Sequence, residues 1–218
     1  KTWLQAQPDG FSATVEQAAL DPFRGYANAI RDELPVAVLD AFHVVRLATQ
    51  VVDEVRRRVQ HDTLGHRGHK NDPLYQIRGL LRHGVEHLSD RQQAKLTRCL
   101  EAGDPDGEVD LAWQCYQQLR SIYHSSAGQG RRIAEQVIAS FPTCPIPEVA
   151  RLGRTLKAWR QQVLAYFDTS GVSNGGTEAI NLIIEKIRRL AHGFRDFDHY
   201  STPDPARRIR QPRLPQIT

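Results

Sequence analysis

The chain has 218 residues, of which 40% are hydrophobic and 25% are charged, with 15 glycines and 12 prolines. This composition allows one domain or slightly more with a real core, and it excludes collagen, coiled coils and intrinsic disorder. No apolar run approaches the roughly 18 residues of a membrane-spanning helix, and the N-terminus lacks the layout of a signal peptide. We therefore expect a cytoplasmic protein with reduced thiols and no membrane association. Because the chain begins at Lys1 and contains no methionine, we also expect a piece of a longer reading frame.

The net charge of +4 is unevenly distributed. Residues 186–218 carry eight basic and three acidic side chains, whereas the 185 residues before them carry 21 basic and 22 acidic ones. A basic segment of this kind is typical of proteins that bind a polyanion, most often nucleic acid. A solvated tail that is basic for solubility is the alternative.

The first region, up to residue 43, has the pattern of a mixed α/β fold. Two short apolar segments predict buried strands, and each is followed directly by an aspartate. Segment 15–20 precedes Asp21, and segment 36–39 precedes Asp40. A helix is predicted between them, at 23–33. Strand, helix and strand with a connection of this length predict a parallel pair in an α/β sheet.

The second region, from residue 44 to residue 168, is dominated by helical periodicity. Valines from Val44 to Val59 recur on one face, opposite charged side chains, and a polar loop is predicted from His61 to Asp72. Further helices are predicted at 74–87, 90–101, 109–124, 130–140 and 147–167. The pattern indicates a helical insertion after the second strand.

Two sets of side chains in this insertion could be mistaken for sites. Three aromatic residues at helical spacing are expected to lie in its core: Trp113, Tyr116 and Tyr123. Three histidines of the polar loop favour zinc only weakly, because they have neither cysteine partners nor a second pair at ligand spacing: His61, His66 and His69.

The third region begins with a loop and continues as a periodic helix. Its apolar face holds Ile180, Ile183, Ile184, Ile187 and Ala191, and its polar face holds Glu178, Asn181, Glu185, Arg188 and Arg189. Glu178 falls in the first turn, where the helix dipole favours a carboxylate. We expect the isoleucine face to pack against the strand that ends at Leu20.

Three acidic residues form a candidate site. Asp21 and Asp40 follow two parallel strands, at the edge where open α/β sheets place their sites, and Glu178 could approach from the helix. Carboxylates that converge from two strands and a helix suit Mg²⁺-dependent phosphoryl transfer. The alternative is that each is a solvated strand-end or cap residue, and that His43 is a hydrogen-bonded core residue rather than a ligand.

Four segments carry a resemblance to a known family. They read AALDPFRGY at 18–26, VLDAFHV at 38–44, SNGGTEAIN at 173–181 and AHGFRDF at 191–197. Together they resemble the ISL3 group of bacterial insertion-sequence transposases, which are of the DDE type. The resemblance implies an α/β fold plus an all-α insertion, namely a partial RNase H-like core interrupted by a helical insertion domain.

The resemblance also implies a division of the chain. We expect a partial RNase H-like core at 1–43, the helical insertion at 44–168, the final core helix at 169–200 and a disordered tail at 201–218. The tail departs from the family pattern, and a frameshift near Tyr200 would explain the departure.

The family's functional residues can be placed on this sequence. Asp21 and Glu178 match the second catalytic aspartate and the catalytic glutamate, which hold Mg²⁺ or Mn²⁺ in a two-metal site. Asp40 and His43 match a supporting Asp-x-x-His element. Residues expected near the DNA backbone are Asn181, Arg188, Arg189 and Arg195.

The resemblance finally implies a function for the parent protein. It would cleave transposon ends and transfer DNA strands by metal-dependent phosphoryl transfer, as a homo-oligomer associated with the nucleoid. The family's first catalytic aspartate would lie upstream of Lys1, so we expect this chain to be inactive alone. The alternatives are a non-catalytic DNA-binding or oligomerisation remnant of a decayed transposase gene, and an unfolded relic.

Overall fold

The computed structural model describes residues 2–8, 10–22, 34, 36–169, 171, 180 and 182–183. Helices dominate these residues, and two three-residue strands precede the long helical region. The strands are β1 (Ala18–Leu20) and β2 (Ala37–Leu39). The α-helices are α1 (Thr2–Gln5), α2 (Phe11–Thr14), α3 (Ala41–Leu64), α4 (Pro73–Gln76), α5 (Asp90–Gly103), α6 (Glu108–His124), α7 (Ala127–Ser140), α8 (Pro147–Ala158) and α9 (Arg160–Asp168). Short 3₁₀ turns occupy Leu80–Arg82, Val85–His87 and Phe141–Thr143.

The two strands pair in parallel, as the sequence predicts. Leu20 lies opposite Leu39 in the register, and the Asp40 amide donates a hydrogen bond to the Leu20 carbonyl oxygen at 2.9 Å. Both strands are shorter than predicted, because ladder pairing covers only three residues of each apolar run. The predicted helix at 23–33 lies outside the described residues. The strand pair and the helix-rich region are therefore confirmed, while the RNase H-like character of the core stays a prediction.

Helix α3 has the valine face that the periodicity predicts. Val44, Val52 and Val55 are buried, and this face packs on α6 and α8. The helix continues to Leu64, so the predicted loop is shorter than expected at its start. Gly65 ends the helix with a left-handed φ of 74°, a conformation that glycine adopts without steric cost.

Two of the predicted helices are broken in the structure. The segment predicted as one helix at 74–87 contains only α4 and two 3₁₀ turns, separated at Gly79 and Gly84, because glycine is a poor helix former. The segment predicted at 147–167 divides into α8 and α9 at Trp159. The break accompanies the burial of the Trp159 side chain.

One buried cluster joins the strands to the helices. Leu39 of β2 belongs to the same core as the valines of α3 and the aromatic residues of α6. Trp113 and Tyr116 are buried and Tyr123 packs against the cluster, so the predicted core role of these three residues is confirmed. Helix α9 packs on β2. Among the described helices, none combines the length and apolar character needed to cross a membrane.

Two residues of the predicted isoleucine face are described. Ile180 and Ile183 are helical, but their side chains are 59% and 57% exposed. The packing of this face against the strand that ends at Leu20 stays a prediction. Ile184 and Ile187 lie outside the described residues.

Candidate catalytic site

Two aspartates meet at the carboxyl ends of the parallel strands. Asp21 directly follows β1 and Asp40 directly follows β2. Because Leu20 and Leu39 are paired in the register, the residues after them leave the sheet side by side. The local sequence explains this arrangement, since each apolar strand is followed directly by an aspartate.

His43 joins the two carboxylates. Its Nδ1 atom lies 2.8 Å from Asp40 Oδ2 and 3.1 Å from Asp21 Oδ1. Asp40 is the N-cap residue of α3, and His43 lies three residues later on the same helical face. Helical side chains tilt toward the N-terminus, so the imidazole reaches back to the strand ends. A protonated Nδ1 can donate to these carboxylates, and a charged imidazolium would balance their negative charge.

Burial distinguishes the two aspartates. The side chain of Asp40 is 0% exposed, that of His43 is 12% exposed and that of Asp21 is 44% exposed. A buried carboxylate is tolerated only when it is paired and hydrogen-bonded, and Asp40 faces His43 at the positive end of the α3 dipole. Asp21 is therefore the carboxylate that can offer an oxygen to a ligand from solvent, while Asp40 is placed to orient His43.

The helical region contributes a tyrosine to the surroundings of this site. Burial raises the pKa of Tyr123 in α6, and the nearby Tyr166 and Asp40 raise it further. The rings of Tyr123 and Tyr166 pack edge to face, with centroids 5.0 Å apart. The phenol therefore stays neutral beside the Asp40 carboxylate. From the sequence Tyr123 is expected only to be a core residue, because it lies 83 positions after Asp40 and no local pattern links the two.

The other predicted site residues cannot be placed. Glu178, Asn181, Arg188, Arg189 and Arg195 lie outside the described residues. Within the described part, the strand ends hold two carboxylates with the His43 imidazole between them, and Asp21 is the accessible one. Carboxylate oxygens are the ligands that Mg²⁺ and Mn²⁺ prefer, so Asp21 fits the role of one ligand to a divalent metal.

Comparison with known proteins defines the class. Residues 1–203 match the family model of the ISL3-type transposases, which is described as a transposase. The chain therefore belongs to this transposase family.

Individual relatives agree with this family. The chain is 27% identical over 206 aligned residues to the transposase for insertion sequence element IS1557 from two strains of Mycobacterium tuberculosis. Each alignment covers 84% of this chain and 46% of the relative. The chain thus spans about half the length of the curated relatives it matches. No solved structure matches it.

Proposed function

We propose that this chain carries part of the active site of a DNA transposase that cleaves transposon ends and transfers DNA strands. The observation that supports the proposal most directly is the Asp21–His43–Asp40 arrangement at the carboxyl ends of two parallel strands. Membership of the transposase family supplies the substrate class. The proposed core is RNase H-like, with Asp21 at the end of one of its strands.

In this proposal Asp21 and Glu178 hold the metal ions, which are Mg²⁺ or Mn²⁺. Two such ions, when bound, activate the attacking water or hydroxyl and stabilise the leaving oxygen. The exposure of Asp21 supports its assignment as a ligand, since its carboxylate is open to solvent on one side while His43 contacts Oδ1.

Asp40 and His43 act as positioning residues. Asp40 is fixed by the backbone hydrogen bond from its amide to Leu20 and by the contact of its side chain with His43. His43 in turn restrains Asp21. The accessible carboxylate therefore keeps one orientation, and no further conformational entropy of this side chain is lost during the reaction. Preorganisation of this kind contributes to catalysis because reacting groups must be held within a fraction of an ångström.

The proposed DNA contacts lie in the basic part of the chain. Asn181, Arg188, Arg189 and Arg195 would contact the phosphate backbone, and the excess of basic residues from 186 onward supports this assignment. Phosphate contacts release counterions, so the affinity for DNA should fall steeply with salt concentration.

The test uses a rebuilt full-length transposase that contains this chain. Asp21→Asn and Glu178→Gln should abolish strand cleavage in Mg²⁺ while leaving binding to transposon-end DNA intact. Asp106→Asn is the matched control, because Asp106 is an exposed carboxylate in the turn between α5 and α6, and it should cleave normally. Normal cleavage by either site variant would show that its residue assignment is wrong.

A non-catalytic role in DNA binding or oligomerisation is the second candidate. The segregation of positive charge into residues 186–218 favours it, because this charge can bind DNA without any metal site. The two candidates differ in the rebuilt protein. Salt-sensitive DNA binding without Mg²⁺-dependent cleavage would support the non-catalytic role, whereas cleavage that depends on Asp21 would exclude it.

A further inference from the structure

A second group of metal-ligating side chains lies in the loop between α3 and α4. His66, His69 and Asp72 recur at intervals of three residues, and their ligand atoms all lie within 4.8 Å of one another. The imidazole rings of His66 and His69 are stacked, with centroids 3.9 Å apart and an interplanar angle of 18°. His66 Nδ1 lies 3.5 Å from Asp72 Oδ2. The loop thus brings two nitrogen ligands and one oxygen ligand close enough together to bind one metal ion.

The Asp72 carboxylate is oriented by groups that are not ligands. Its Oδ2 atom accepts a hydrogen bond from the His69 amide, and a second from Gln60 Nε2 at 3.4 Å. Gln60 is buried, and its side-chain oxygen accepts a hydrogen bond from the buried Arg56. Hydrogen-bonded carboxylates supported from behind are typical of metal sites, where such partners fix the ligand's direction.

Gly68 allows the loop to approach the side chains of Gln60 and Tyr75 closely. Its φ is +117°, and a Cβ atom at this position would lie 2.8 Å from Gln60 Nε2 and from Tyr75 Cδ2. The Gly68 amide donates a hydrogen bond to His66 Nδ1 at 3.2 Å, so Nε2 is the His66 nitrogen available to a metal. The turn that brings His66 back toward Asp72 therefore requires glycine. Arg67 and Lys70, the charged residues between the ligands, are exposed.

We propose that His66, His69 and Asp72 form a binding site for a divalent transition metal of the Zn²⁺ class. Two imidazoles and one carboxylate suit zinc and its neighbours, whereas Mg²⁺ takes oxygen ligands almost exclusively. Three protein ligands leave coordination positions for water. The bound ion would connect the end of α3 to the start of α4. The sequence alone favours zinc only weakly here, because the loop has no cysteine and Asp72 reaches the histidines only through the fold of the loop.

The site can be tested with the metal alone on the intact chain. Zn²⁺ should bind in a saturable step by calorimetry, and Co²⁺ in its place should give visible absorption bands. His69→Asn and Asp72→Asn should each weaken Zn²⁺ binding by at least about tenfold. His61→Asn is the matched control, because His61 is an exposed histidine near the same loop that lies outside the cluster, and it should bind as the parent chain does.

Two further measurements keep the outcome clear. Circular dichroism without metal checks that each variant is folded, and His66→Asn replaces any variant that is not. Zn²⁺ should raise the melting temperature of the parent chain but not of Asp72→Asn, since a ligand of the native state stabilises it. Asp21→Asn should keep this site, which separates it from the proposed catalytic metals. Unchanged affinity in the ligand variants, or no saturable binding, would overturn the proposal.

Discussion

The guanidinium group of Arg58 makes a two-point contact with the carboxylate of Glu148. Nε lies 2.7 Å from Oε1, and Nη2 lies 3.2 Å from Oε2. The same group reaches Glu108, with Nη1 2.8 Å from Oε2. Glu148 and Glu108 lie in the first turns of α8 and α6, where the helix dipole favours a negative charge. One side chain of α3 thus connects the beginnings of two other helices.

Removal of this contact should destabilise the helical region. Arg58→Met should lower the free energy of unfolding by about 1.5–3 kcal/mol, because two partly buried carboxylates lose charged hydrogen bonds. Urea unfolding at neutral pH measures the change. Arg57→Met is the control, since Arg57 is half exposed and pairs with Asp53 on the same helix, and it should cost less than about 1 kcal/mol. Equal losses in the two variants would contradict this account.

The same contact should make stability depend on acid pH. Burial alone would raise the pKa of Glu148, but the hydrogen bonds and charge of Arg58 lower the pKa overall from its ordinary value of 4.5. The unfolded chain therefore binds the proton more readily, so this contribution is present above pH 4.5 and is lost as the pH falls through the folded-state pKa.

Glu148→Gln tests this pH dependence. The free energy of unfolding of the parent chain should fall more steeply than that of Glu148→Gln as the pH is lowered below about 5. Urea midpoints measured through the acid range give the comparison. Parallel curves for the two proteins would show that Glu148 keeps its ordinary pKa in the folded state.

Two tyrosines of α6 should respond oppositely to loss of their hydroxyl groups. The Tyr116 hydroxyl donates to the Arg82 carbonyl oxygen at 2.9 Å, whereas the Tyr123 hydroxyl is buried without a hydrogen-bond partner among the described residues. Tyr116→Phe should lower the free energy of unfolding by about 1 kcal/mol, and Tyr123→Phe should raise it by a similar amount. Urea unfolding of both variants is the measurement. A clear loss of stability in Tyr123→Phe would mean that its hydroxyl has a partner in solution.

Two helical glycines form another matched pair. A Cβ atom on Gly153 of α8 would lie 2.3 Å from the Pro142 nitrogen and 2.4 Å from the Phe141 carbonyl carbon, whereas one on Gly128 of α7 would meet nothing within 4 Å. Gly153→Ala should therefore cost about 2–3 kcal/mol or more, because backbone must move. Gly128→Ala should be neutral or stabilise by up to about 1 kcal/mol. Thermal unfolding distinguishes them, and similar melting temperatures would refute the close approach.

The fold was predictable where one local pattern determines the structure. The valine periodicity of α3 marks a single buried face, and each apolar strand is short and ends at a charged residue. The division of the predicted 147–167 helix at Trp159 was not predictable, since helical periodicity continues across a local break. The single helix predicted at 74–87 is wrong because Gly79 and Gly84, which are poor helix formers, interrupt it.

The candidate sites were predictable only in part. The positions of Asp21 and Asp40 follow from strand order, but the bridge through His43 depends on the direction of a helical side chain. The proximity of Asp72 to His66 and His69 depends on the positive φ of Gly68, which no residue pattern indicates by itself. The electrostatic influence of Asp40 on Tyr123 depends on tertiary packing between distant segments.

Because α9 packs on β2, the strand pair and the helices that follow it share one core. Deletion of residues 44–168 would expose the side chains of Leu39 and Asp40 to solvent. Tyr166 of α9 packs on Tyr123, so a displacement of α9 changes the surroundings of the Asp40 carboxylate directly. The strands supply the two aspartates, and the helices determine the solvent exposure and the mobility of their side chains.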